Sequence, residues 1–234
     1  MPTARTRKKT PKPEVAVGVE GQFLRELRRP DLAAADVERI LRNPDARRFH
    51  AVRLAIAGHR NTPRMQALSL VGTLYWRDLA HLSADVRVHP EIRRSADAHL
   101  LRRLPELAVA ERIDLARVAG RGALLMLRQD PDPRVVAAFL DNRFATEVDV
   151  VQAAALSRAR PESLAGIAGH PRWSVRRSVR EALLANPNLP EAAAEAILDR
   201  STDRELDLLQ SEPAAREDVR KIAQRVLARR LRQV

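Results

Sequence analysis

The chain has 234 residues, 42 basic against 30 acidic side chains, a net charge of +12 and no cysteine, which excludes disulfides and thiolate metal sites. Hydrophobic residues make up 45% but aromatics only 3%, and there are just 8 glycines; composition dominated by alanine, leucine and arginine favours helices over strands. There is no run of 18 apolar residues and no apolar stretch after the basic N-terminus, so neither a membrane span nor a secretory leader is expected, and a cytoplasmic location is.

Residues 1–20 hold three prolines and no helical period, and within 1–13 sit Arg5, Arg7, Lys8, Lys9 and Lys12 with no acid. This reads as a disordered basic arm, either a solubilising tail or an electrostatic anchor for nucleic acid or an acidic partner. Phe23, Leu24 and Leu27 begin a short helix that ends at Pro30, and Val37, Ile40 and Leu41 mark another. Residues 45–57 and 64–80 form the first clear helix pair, with Tyr75 and Trp76 closing the second helix and both rings expected to be packed. His89-Pro90 opens the next helix, where Ile92, Ala96, Leu100 and Leu104 make an apolar stripe at i, i+4 spacing. Pro105 turns the chain into a helix over 106–118, and Gly120 and Gly122 break it before a brief apolar helix at 123–127.

Asp130-Pro131-Asp132-Pro133 opens a further unit with Val135, Val136, Phe139 and Leu140 in the core, followed by a helix carrying Val148, Val151 and Ala155. Pro161 leads into 164–168. In the stretch 170–198, Val175, Val179, Ala182 and Leu183 define one helix, Asn186-Pro187-Asn188-Leu189-Pro190 stops it, and Ala194, Ile197 and Leu198 define the next. A short helix near 203–209 and Pro213 precede a terminal helix with Val219, Ile222, Ala223, Val226, Leu227 and Leu231 inward; residues 216–234 carry seven basic groups and two acids.

An internal repeat organises these elements. Pro44 and Pro63 are separated by the same interval as Pro171 and Pro190, and Asn61 aligns with Asn188 and Ala55 with Ala182. Unit openers at Pro44, Pro90, Pro131 and Pro171 follow at intervals of 46, 41 and 40. A period near 40 with two or more helices per unit predicts an all-α, right-handed α-solenoid of HEAT-like helical repeats, because helix pairs that cannot bury both faces alone stack on their neighbours. The expected organisation is an arm at 1–20, a solenoid body at 21–215 and a basic helix at 216–234 capping the stack. The unit X-Pro-x-x-x-[Val/Arg]-Arg-x-x-[Val/Ala]-x-x-x-Leu and the turn at 186–190 resemble bacterial HEAT-like proteins, especially the leucine-rich repeat variant group, over roughly residues 40–200. Some members of that group carry a cysteine-rich iron–sulfur module, which this cysteine-free chain lacks.

Arginines follow each opening proline: Arg47 and Arg48, Arg93 and Arg94, Arg134, Arg176 and Arg177, with Arg53, Arg102, Arg103, Arg172 and Arg180 beyond them. Positive charge near a helix N-terminus opposes the dipole, so a compensating partner is needed. Either these arginines form a ladder onto the neighbouring repeat, or they line a basic stripe along a concave face, with Trp173 as a packed residue or a stacking platform. The first functional expectation is a non-catalytic scaffold or adaptor that binds a protein through a curved repeat surface. The alternative is nucleic-acid or ribonucleoprotein binding through the arm, the terminal helix and the arginines. The fold also hosts alkylpurine DNA glycosylases, but Trp76-Arg77-Asp78 and Trp173 match their residues too loosely to carry roles, and this stays a distant third. The six histidines have no metal-ligand spacing, and no phosphate loop or Gly-x-Ser-x-Gly occurs, so no catalytic residue, cofactor or metal is expected.

Overall fold

The computed structural model describes residues 18–232; the basic side chains Arg5, Arg7, Lys8, Lys9 and Lys12 lie outside them. Among the described residues there are sixteen α-helices, one 3-10 turn and no strand. They form two compact units that divide between Leu70 and Val71, within the stretch read from sequence as one body.

In the first unit, α1 (Val19–Leu27) packs on α4 (His50–Gly58), and α3 (Pro44–Arg48) joins α2 (Ala34–Arg42) to α4. α1 begins inside the segment read as arm. Leu27, Leu32, Val37, Ile40, Ala46, Val52 and Ile56 form the core. α5 (Arg64–Val71) ends at the join between the units.

The second unit contains α6 (Trp76–Ala84), α7 (Pro90–Arg103), α8 (Val109–Val118), α9 (Arg121–Leu127), α10 (Pro133–Leu140), α11 (Glu147–Ala154), α12 (Pro161–Gly169), α13 (Arg177–Ala185), α14 (Glu191–Leu198), α15 (Asp203–Ser211) and α16 (Glu217–Leu231). Helices two apart in the chain pack together. One row runs α6, α8, α10, α12, α14, α16; alongside it α7 packs on α9 and α11 on α13. From α8 to α16 the row's helices start at Val109, Pro133, Pro161, Glu191 and Glu217, in steps of 24, 28, 30 and 26. The packing period is therefore shorter than the intervals of 46, 41 and 40 between the X-Pro openers. Of the four openers, Pro44 and Pro90 are first helical residues, whereas Pro131 and Pro171 lie in the turns ahead of α10 and α13. Proline suits a first helical position and a turn alike, so the openers do not mark equivalent places in the packing.

Three helices expected to be continuous are divided. Phe49 is extended (φ −82°, ψ 122°) and separates α3 from α4. The stretch 64–80 breaks at 72–75, so Trp76 opens α6 instead of closing a helix, and Tyr75 is 65% exposed where a packed ring was expected. The helix expected from 172 starts only at Arg177, which leaves Val175 65% exposed. Val135, Val136, Phe139 and Leu140 are buried as their spacing predicted, as are Val219, Ile222, Ala223 and Val226 of α16, whereas Leu231 is 79% exposed.

No described residue has a positive φ, so these helices do not end in the usual left-handed glycine. A side chain takes that role instead. At Asn43, His59, His170 and Asn186 the capping residue's N–H bonds to the carbonyl three residues back. Its side chain then accepts the N–H two residues on, at 2.9, 3.2, 3.2 and 2.9 Å. Short polar acceptors make this local bond readily and turn the chain sharply.

Candidate binding groove

The links that cross from the row of α6, α8, α10 and α12 to the helix that follows are the best-built loops of the second unit. After α6, Asp85 accepts the Arg87 N–H at 2.9 Å and pairs with its guanidinium at 2.7 Å. That double bond fixes residues 85–87 and leaves Val86 75% exposed. After α8, the link contains Gly120, where a Cβ would lie 3.0 Å from both the carbonyl carbon and oxygen of Ser83. Only glycine lets this link press against the end of α6. After α10, buried Asn142 donates from Nδ2 to the carbonyls of Ala116 at 2.7 Å and Ala119 at 3.2 Å, and accepts the Phe144 N–H at 2.8 Å. Arg121 donates to the Phe144 carbonyl at 3.2 Å and pairs with buried Asp149. After α12, Arg172 donates to the Ala145 carbonyl at 3.4 Å, and His170 meets Asp141 at 3.2 Å. The second, third and fourth crossings are thus bonded to one another, and the second is pressed against the end of α6.

Between the first three crossings lies an open groove of about 920 Å³, lined by His81, Ala84, Asp85, Val86, Arg87, Arg117, Val118, Arg143 and Phe144. Arg87 is 86% exposed and Arg117, paired with Asp114 at 3.4 Å, is 62% exposed. Arg143 has no carboxylate partner among the described residues; its guanidinium lies 4.6 Å from the Phe144 ring centroid, a cation–π contact. A second cavity of about 250 Å³ shares Ala84, Val86 and Phe144 with the groove and adds Arg93, Arg94, Asp97 and Arg121. Asp97, on α7, lines it and meets the start of α9 at Gly122 and Ala123. Burial pushes its carboxyl above the usual range, against the N–H groups of Ala123 and Gly122, the Ser83 hydroxyl and the charge of Arg93. Its Oδ1 has no hydrogen-bond partner.

The arginines singled out from sequence take several positions. Arg93 and Arg94 line the smaller cavity. Arg103 donates to the carbonyls of Leu74 at 2.6 Å and Gly72 at 3.1 Å, and Arg180 reaches Glu205 at 3.3 Å. Arg176 approaches Glu147 at 3.9 Å. Arg48, Arg134 and Arg177 pair locally with Asp45, Asp132 and Glu181 at 3.6, 2.9 and 2.7 Å. Arg53 donates to the Arg47 carbonyl at 2.7 Å and Arg102 to the Ala98 carbonyl at 3.3 Å, while the Arg47 side chain is exposed. Trp173 is 2% exposed and donates from Nε1 to the Leu140 carbonyl at 2.9 Å, with Arg172 stacked 4.1 Å from its centroid. Trp76 donates to Glu111 at 3.1 Å. Both indoles are held within the fold.

Arg87, Arg117, Val86, Val118, Arg143, Phe144 and Asp97 were not singled out by the sequence. Their signal was present at the wrong period: Arg87, Arg117, Arg143, Arg172 and Arg200 follow one another in steps of 30, 26, 29 and 28, and all are exposed. That spacing is the packing period. Four of the five stand beside an apolar residue, as Val86-Arg87, Arg117-Val118, Arg143-Phe144 and Arg172-Trp173.

Among the described residues no group of His, Asp and Glu is arranged to hold a metal, and no helix is long and apolar enough to cross a membrane. Comparison with protein-family models, with curated proteins and with solved structures finds no match.

Proposed function

We propose that this chain is a non-catalytic adaptor: a HEAT-like, right-handed α-solenoid that holds a protein partner along the edge where its helices cross between rows. The observation that carries this reading is the series Arg87, Arg117, Arg143, Arg172 and Arg200, exposed arginines at or beside successive crossings that recur at the packing period of the helices. Arginine beside an apolar side chain is the composition of an interface centre, since it offers both a planar donor and desolvated area. The test is a photo-reactive residue placed at Val86 or Phe144 in the intact chain in cells. Crosslinking to a discrete protein from both positions, and not from exposed Ala165 on α12, supports the adaptor. Equal labelling from all three sites sinks it.

The net charge of +12 favours a second reading, nucleic-acid binding. Two features weigh against it. Carboxylates stand at or near four of the five crossings, as Asp85, Asp114, Asp141 and Asp199, and would face phosphates. The cations of α16 are also taken up internally: Arg225 pairs with Glu191, Arg229 with Glu195 and Asp199, and Arg230 with Asp203. A salt titration with duplex DNA and RNA separates the readings. Steeply salt-dependent binding that weakens when residues 1–13 are deleted favours nucleic acid; none at low salt favours the protein partner.

A further inference from the structure

We infer that the groove between the first three crossings takes a short peptide segment of a partner protein, one that alternates acidic with apolar side chains. The inference rests on the adaptor reading and names the site and the chemistry of its occupant.

Three observations converge on that chemistry. The groove is lined by cations and apolar side chains together: Arg87, Arg117 and Arg143 with Val86, Val118 and Phe144. The adjoining cavity adds Arg94, which like Arg143 has no carboxylate partner among the described residues. Two guanidinium groups therefore remain for an incoming carboxylate. Arg87 and Arg117 already hold Asp85 and Asp114 in exposed pairs, and such pairs exchange partners at little cost. The second observation is apolar exposure in one place. Val86, on the loop after α6, is 75% exposed and Val118, the last residue of α8, 39%, and both line the same groove. Exposed apolar residues brought together from separate parts of the chain mark a recognition surface.

The third observation selects peptide over nucleic acid. Of the two aromatic rings in the groove, Phe144 has one face covered by the Arg143 guanidinium, which leaves His81 as the one ring open to stacking, and valines give bases nothing to stack on. Asp85 in the groove and Asp97 in the adjoining cavity would repel a continuous phosphate backbone, whereas a peptide places its acids selectively. A partner with acidic side chains near Arg143 and Arg94 and an aliphatic or aromatic side chain between Val86 and Val118 meets each group with its complement.

The test is selection from a displayed peptide library against the intact chain, followed by titration of the enriched peptides. Enriched sequences should carry both acidic and apolar residues. Arg143→Glu should weaken them about tenfold or more and Val86→Ser several-fold, as central anchors of an interface do. Both positions are exposed and Arg143 has no ion pair, so both variants should fold, as circular dichroism would verify. Arg204→Glu, on the exposed side of α15, should leave affinity unchanged. Enriched peptides lacking acids, affinity indifferent to Arg143→Glu, or displacement of the peptide by a single-stranded oligonucleotide at equal concentration would each overturn the inference. Peptides that bind but ignore both groove substitutions would remove the groove while leaving the adaptor standing. No enriched peptide, together with no crosslinked protein at Val86 or Phe144, would remove both.

Discussion

The side-chain amide of Asn186 donates to the Ala154 carbonyl at 2.6 Å, joining two residues 32 apart in sequence. The same nitrogen reaches the Leu156 carbonyl at 2.9 Å, while its oxygen accepts the Asn188 N–H at 2.9 Å. One 3% exposed residue thus ends its own helix and satisfies the end of another. Asn186→Ala would leave the Ala154 carbonyl and the Asn188 N–H without partners, while the Leu156 carbonyl would keep only the Ala159 N–H at 3.0 Å. Each costs about 1–3 kcal/mol if it stays dry, so a total near 3 kcal/mol is expected after partial rehydration. Arg177→Ala, which breaks an exposed i, i+4 pair with Glu181, should be nearly silent. Urea unfolding of the two variants checks the ranking; equal losses would show that the asparagine bonds do not tie the rows.

Gly122 and Asp97 should be energetically coupled. A Cβ on Gly122 would lie 2.5 Å from Asp97 Oδ2 and 2.6 Å from its carboxyl carbon. Gly122→Ala must displace the carboxylate, and overpacking of this kind costs about 1–3 kcal/mol. In an Asp97→Ala background the carboxyl group is gone and only the Cβ of residue 97 remains close, at 2.9 Å, so the same substitution should cost clearly less. A double-mutant cycle by thermal denaturation gives the coupling. Additive losses would mean that the α9 N-terminus moves as a whole and the contact does not restrain it.

The helical class and much of the core were legible in the sequence because they depend on composition and on apolar residues at helical spacing. Asn61 and Asn188 were aligned from sequence, and they do the same job. Asn61 donates to the Leu32 carbonyl, 29 residues earlier, and Asn188 to those of Ser157 and Ala159, 31 and 29 earlier. The packing period is not read from the prolines because Pro44 and Pro90 start helices while Pro131 and Pro171 sit in turns before them, and none reports which row the helix belongs to. The groove was missed for the same reason: Arg87, Arg117 and Arg143 form a series only at the true period. The breaks at Phe49 and before Arg177 come from caps that propensity does not reveal, since neither Phe49 nor Arg176 is a helix breaker by type.

Two carboxylates should give stability a pH dependence of opposite sign. Asp97 is raised from 3.8 by burial, so between that value and its folded pKa the native chain binds more protons than the unfolded one. Stability from this group is complete below the unfolded value and is lost as pH rises through the folded pKa. Asp132 is lowered to about 2 by hydrogen bonds from the Arg134 side chain and backbone N–H, so its contribution is present above 3.8 and lost as pH falls toward 2. Thermal melts from pH 2 to 7 should show Asp97→Asn removing a decline on the alkaline side and Asp132→Asn removing one on the acid side. A pH profile unchanged by Asp97→Asn would show that this carboxyl keeps its ordinary affinity for protons.

The terminal helix should depend on one arginine more than on its ion pairs. Arg230 donates to the carbonyls of Asp199 and Ser201, both at 2.9 Å, from a side chain 31% exposed. These carbonyls lie just past α14, where helix ends leave acceptors unfilled. Arg225 instead makes an exposed pair with Glu191, the two side chains being 60% and 67% exposed. Arg230→Ala should cost about 1–2 kcal/mol and speed amide exchange in α15 and α16. Arg225→Ala should be nearly silent. Raising salt to 1 M, where the screening length falls to about 3 Å, should erase what remains of the Arg225 effect and leave most of the Arg230 effect in place. If both penalties vanish in high salt, α16 is held by general charge attraction to α14 and α15, and the specific bonds to the carbonyls contribute nothing of their own.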